Sequence, residues 1–97
     1  MKTPDECANI LEVREEIDLI DREVIDALSK RFQYVLAAAR FKTSENSVKA
    51  PDRFYAMLQQ RREWAQEAGL SADVVEKLYR DLVNHFIEEE LKHYKPD

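Results

Sequence analysis

Between Pro4 and Pro51 the chain contains neither glycine nor proline. Those are the two residues that interrupt helices most strongly, so a long stretch without them permits one continuous helix. Within it Ile10, Val13, Ile17, Ile20, Val24 and Ala27 recur at alternating intervals of three and four, the seam of a coiled-coil-like helix. Leu28, Phe32, Val35, Leu36 and Ala39 continue the apolar surface. Thr3-Pro4-Asp5-Glu6 reads as the start: Thr3 as cap, Pro4 at the first helical position, and Glu6 completing a capping box. The spacing predicts a first helix from about residue 4 to about 41, on the order of 57 Å long at 1.5 Å per residue. A compact chain of this size has a radius of gyration near ~13 Å, so such a helix outruns a compact monomer. The uncovered half of its seam calls for a second molecule, and two-fold homodimers are the commonest oligomers.

The remainder follows the same all-α plan within a single 1–97 domain. Lys42 to Ala50 is polar and aperiodic and reads as a loop. Pro51 restarts the chain, and Phe54, Met57, Leu58, Arg61, Ala65 and Ala68 share one face of a helix over 51–68 that Gly69 ends. Ser71 caps a third helix over 72–94, with Val75, Leu78, Tyr79, Leu82, Val83, Phe86, Ile87 and Leu91 as its stripe and Pro96 beyond its end. The outline is one long, one medium and one medium-long helix per chain, paired as an intertwined helical homodimer. No stretch is long and apolar enough for a membrane span, the start lacks a signal peptide's apolar run, and the lone Cys7 has no internal disulfide partner. These features predict a cytoplasmic protein. A net charge of −5 argues against a nucleic-acid partner. Against that acidity, Arg31, Arg40, Lys42, Lys49 and Arg53 cluster in the middle of the chain, as a solvated face or as a site for a small anion.

Three charged residues break the apolar pattern. Arg31 sits seven after Val24, where the seam asks for an apolar side chain. A guanidinium there needs a carboxylate, from an interhelical ion pair or from a ligand, unless it snorkels to water. Glu90 lies four after Phe86 and seven after Val83, inside the stripe of the last helix. It is either the partner of a neighbouring cation or a half-buried acid facing a ligand, and burial and a nearby cation would move its pKa in opposite directions. Arg14 stands beside the seam, ~25 Å along the helix from Arg31, too far for both to hold one small ligand from the same helix. In an antiparallel dimer, Arg14 of one protomer can approach Arg31 of the other. Lys42 is eleven residues after Arg31 and on nearly the same helical face, about 16 Å along the axis, so the two can bracket a small dicarboxylate. His85, His93, Cys7 and Trp64 form no metal-ligand or nucleophile pattern, and no glycine-rich phosphate loop exists.

The residues Leu11-x-x-Arg14-x-x-Ile17-Asp18-x-Ile20-Asp21, Leu28-x-x-Arg31, Lys42, Arg53 and Glu90 together resemble the all-helical chorismate mutase family over essentially the whole chain. Within it, Met1-Lys2-Thr3-Pro4, Ala38-Ala39-Arg40-Phe41-Lys42, Ala50-Pro51-x-Arg53 and Trp64-Ala65-x-Glu67-x-Gly69-Leu70 are similar to the isochorismate pyruvate lyases of salicylate and siderophore biosynthesis. The resemblance implies an intertwined dimer with two sites, each built from both chains and taking a small dianionic substrate. It implies that Arg14, from the partner chain, and Arg31 hold substrate carboxylates. Arg53 contributes from the start of the second helix, and Lys42, at the edge of a mobile loop, closes over the breaking ether bond. It implies neither cofactor nor metal. A pericyclic step needs a held conformer and complementary charge rather than extensive proton transfer, which suits such a set.

Two departures bear on the reaction. In typical mutases of the family a Glu follows the second helix's Arg and binds the ring hydroxyl; here Phe54 follows Arg53, which favours the lyase. Where bacterial members usually carry Gln, this chain has Glu90, which donates a hydrogen bond only when protonated. The expected activity is therefore release of pyruvate from isochorismate to give salicylate, with weak chorismate mutase activity alongside it. A chorismate mutase and a non-catalytic helical dimerisation module are the alternatives.

Overall fold

The computed structural model describes residues 1–94 and contains helices and no strand among them. Its α-helices are α1 (Ile10–Ala38), α2 (Glu45–Lys49), α3 (Pro51–Glu67) and α4 (Ala72–His93), with short 3-10 turns at Pro4–Glu6 and Ala39–Phe41. The chain divides into two compact units, Met1–Gln33 and Tyr34–Asp97. No helix is long and apolar enough to cross a membrane among the described residues.

In the first unit the N-terminus departs from the sequence reading. Pro4–Glu6 forms a single 3-10 turn, and Cys7 leaves it in extended conformation. Thr3 makes no capping bond to the backbone; its hydroxyl donates instead to Glu6 Oε1 at 2.9 Å. The long helix begins at Ile10 because Asn9 is the stronger start signal. Asn9 Oδ1 accepts from the Glu12 amide at 3.0 Å, and Glu12 Oε2 reaches back to the Ala8 amide at 2.8 Å. Lys2 Nζ completes the knot on Glu12 Oε1 at 2.8 Å. These bonds, the Ala8 amide first, hold the Glu12 carboxyl below its ordinary pKa. No residue of α1 is buried. Ile10, Leu11, Ile17, Leu19, Ile20, Val24 and Ile25 are all 48–65% exposed, a broad apolar surface on one helix.

The second unit is a helical hairpin with an extra turn. Helix α3 packs along α4, and α2 and the 3-10 turn at Ala39–Phe41 rest on α4. Val48, Met57, Leu58, Ala65 and Phe86 form its core. Gly69 turns the hairpin in left-handed conformation (φ 78°), with Leu70 N donating to Ala65 O at 2.8 Å and Gly69 N to Gln66 O at 3.1 Å. That bond pair satisfies carbonyls the end of α3 would leave open. Ser71 Oγ caps α4 through the Val74 amide, and Arg62 on α3 clasps Asp73 (2.8 Å) and Glu76 (3.5 Å) of α4.

The stretch expected to be a loop contains α2. Ser44 and Ser47 cap one another: Ser44 Oγ accepts from the Ser47 amide, and Ser47 Oγ from the Ser44 amide, both at 3.1 Å. Five residues are too few for an isolated helix, and α2 is held by this reciprocal cap and by Val48, its one buried residue. Ala50 ends α2 and begins α3 at once, in left-handed conformation (φ 39°, ψ 63°). Helix α4 ends at His93; Pro96, expected to stop it, lies outside the described residues.

Candidate functional site

Helix α1 ends at Ala38, the 3-10 turn carries the chain to Phe41, and Lys42 follows in extended conformation (φ −86°, ψ 142°). The eleven-residue helical register used to relate Lys42 to Arg31 therefore does not extend to Lys42. Extended backbone at Lys42 and at Ser44 leads the chain to the start of α2.

What the second unit does bring together is Lys42, α2 and Glu90. Lys42 is half-buried, and its ammonium donates to the carbonyl of Ser47 at 3.0 Å. Glu90 is the one buried charged residue among the described residues, 5% exposed on the face of α4 it shares with Phe86. Its carboxyl takes no hydrogen bond from the described residues. Desolvation pushes its pKa above the usual carboxylate range, and the nearby positive charge of Lys42 partly opposes this. A buried acid whose pKa is raised by desolvation and lies within the field of the Lys42 ammonium is the kind of group that marks a candidate functional site.

Arg53 lies in the first turn of α3 and is exposed. A cation there adds to the helix's own positive end, an arrangement that an anion relieves. Phe54, half-buried beside it, stacks edge-on against Tyr55 with centroids 5.8 Å apart and offers no polar group. In the first unit Arg14 is exposed and Arg31 half-buried, both on α1. No group of three His, Cys, Asp or Glu side chains is placed to hold a metal ion among the described residues.

The sequence reading passed over Ser44 and Ser47. The signal was present: Ser44-x-x-Ser47 precedes Val48, with Glu45 in the first turn, and short polar residues at that spacing cap a helix.

Against known proteins, the chain is 44% identical over 95 residues to "Isochorismate pyruvate lyase" of Pseudomonas aeruginosa, covering 98% of this chain and 94% of that protein. It is 41% identical over 70 residues to a "T-protein" of Haemophilus influenzae and 30% identical over 74 residues to a "T-protein" of Enterobacter agglomerans. The chain covers only 19% and 20% of those two longer proteins. Residues 13–91 match the family described as "Chorismate mutase type II". With an all-helical fold, a family match over most of its length and a near full-length relative, the chain belongs to the type II chorismate mutase family.

Proposed function

We propose that the protein is an isochorismate pyruvate lyase, releasing pyruvate from isochorismate and leaving salicylate. The observation that carries this reading is the 44% identity spanning 98% of the chain and 94% of the Pseudomonas lyase. In the reaction the ether C–O bond breaks while a ring hydrogen moves to the methylene carbon of the departing enolpyruvyl group. The ring becomes aromatic and the side chain leaves as pyruvate. All atoms come from the substrate, and the step calls on no cofactor.

Arg14 of the partner chain and Arg31 hold the two carboxylates, Arg53 adds positive charge from the start of α3, and Lys42 sits against the ether oxygen. That oxygen gains negative charge as the bond breaks, so the ammonium stabilises the transition state more than the bound substrate. Glu90, whose pKa burial raises, donates a second hydrogen bond to the same region whenever it is protonated. Phe54 beside Arg53 presents apolar surface where a hydroxyl-binding acid would favour the mutase. Two chains complete each site in a cytoplasmic homodimer, for which the exposed apolar face of α1 is the support. The family's own description favours chorismate mutation as the second reading.

The test is to supply isochorismate and chorismate separately to the purified protein and to its Lys42→Ala variant. Salicylate from isochorismate should form, and Lys42→Ala should lower its rate by roughly 100-fold or more. Efficient prephenate formation with little salicylate would make it a mutase. No product from either substrate would leave a helical binding module.

A further inference from the structure

We infer that Ser47 is a positioning residue that fixes Lys42 before substrate arrives; the consequence for turnover rests on the lyase reading above. Every polar group of Ser47 is engaged within residues 42–47. Its hydroxyl accepts from the amides of Thr43 and Ser44, each at 3.1 Å, and donates to Ser44 O at 2.8 Å. Its own amide donates to Ser44 Oγ at 3.1 Å, and its carbonyl accepts the Lys42 ammonium at 3.0 Å.

One side chain thus ties down the two backbone amides that follow Lys42, while the same residue's carbonyl receives the far end of the Lys42 side chain. The peptide on one side and the ammonium on the other are fixed to a common point. An ammonium has three N–H donors, so a single bond to a carbonyl leaves two to be offered elsewhere. Val48, the next residue, is buried, and α2 rests on α4, the helix that carries Glu90. The chain Glu90–α4–α2–Ser47–Lys42 therefore lies wholly within one unit.

A lysine left free in a polar loop must be ordered at each encounter with substrate; one already docked has met that cost in folding. Ser47 acts through Lys42 and need not touch substrate. Its hydroxyl is the part that matters, because the carbonyl is retained in any variant.

The experiment compares Ser47→Ala with Ser47→Thr, the latter keeping a hydroxyl, by two independent readouts. The first needs no substrate: 13C relaxation of the Lys42 ε-methylene and hydrogen exchange of the Thr43, Ser44 and Val48 amides. Ser47→Ala should loosen Lys42 and speed exchange at these amides by about 5-fold, the usual effect of losing a cap; Ser47→Thr should restore both. The second is turnover: Ser47→Ala should lower kcat with KM little changed, again restored by Thr. Equal order of Lys42 in the wild type and Ser47→Ala would overturn the inference. So would a loosened Lys42 with unchanged kcat. An inactive wild-type protein would sink the lyase reading instead, and the relaxation comparison would still decide whether Ser47 holds Lys42.

Discussion

Replacing Ile20 with alanine should weaken self-association without disturbing the fold of either unit. Ile20 lies in the middle of the α1 seam, is 48% exposed, and belongs to a helix with no buried residue. Full burial of an isoleucine side chain is worth about 1.5–3 kcal/mol, so covering the exposed half yields roughly 0.8–1.5 kcal/mol. Two-fold symmetry counts the loss twice, giving about 1.5–3 kcal/mol per dimer, or roughly a 10- to 100-fold rise in Kd. Alanine is the better helix former, so α1 itself is not weakened by propensity. Sedimentation velocity over a dilution series reads the effect directly. Helical circular dichroism followed over the same dilutions adds a second signature, since a bare amphipathic helix depends on its partner for stability. A wild-type protein that sediments as a monomer at micromolar concentration would refute the reasoning, as would an Ile20→Ala protein that dimerises equally tightly.

Glu90→Gln should change the pH dependence of both rate and stability. With its pKa raised above 4.5 by burial, wild-type Glu90 is a donor at low pH and loses that role as pH climbs through the raised value, whereas a Gln amide donates throughout. Salicylate formation by the wild type should therefore fall relative to the variant towards alkaline pH. A raised folded-state pKa gives stability fully present below the unfolded value of 4.5 and lost as pH rises through the folded value, so urea midpoints should diverge in the same direction. Parallel pH profiles for the two proteins would remove Glu90 from the chemistry. Ala50→Gly should raise the urea midpoint. A left-handed L-residue costs about 1–2 kcal/mol and glycine's extra freedom when unfolded returns about 0.5–1, leaving a gain of roughly 0.5–1 kcal/mol. A lowered midpoint would show that the Ala50 methyl contributes packing worth more than the strain.

Helix positions were legible where periodicity or punctuation is strong. The seam through Ile17, Ile20 and Val24, the turn at Gly69 and the Ser71 cap each rest on a local rule that nothing distant contradicts. The start of α1 was misread because two start signals compete within ten residues, and Asn9 with Glu12 makes backbone bonds that Thr3 with Glu6 does not. Helix α2 was missed for another reason: five residues give periodicity nothing to register, so only its capping serines announced it. Glu90 stood out in the sequence because a charge interrupts an apolar stripe. Its closeness to Lys42 did not, since their sequence separation is bridged by the α3–α4 turn and by α2 docking on α4.

The joint at Ala50 gives the second unit its mechanics. One residue serves as the C-terminal cap of α2 and the N-terminal cap of α3, with the Ala50 amide bonded back to Asn46 O at 2.8 Å and its carbonyl taken by the Phe54 amide at 2.9 Å. No slack separates the two helices, and Pro51 fixes its own φ, so any change in the angle between α2 and α3 has to pass through the dihedrals of Ala50. Any change of α2 relative to α3 thereby turns on a single residue, three positions from Arg53. With both of its backbone groups held in helical hydrogen bonds, Ala50 couples the Lys42 segment to the start of α3 through a single pair of dihedrals.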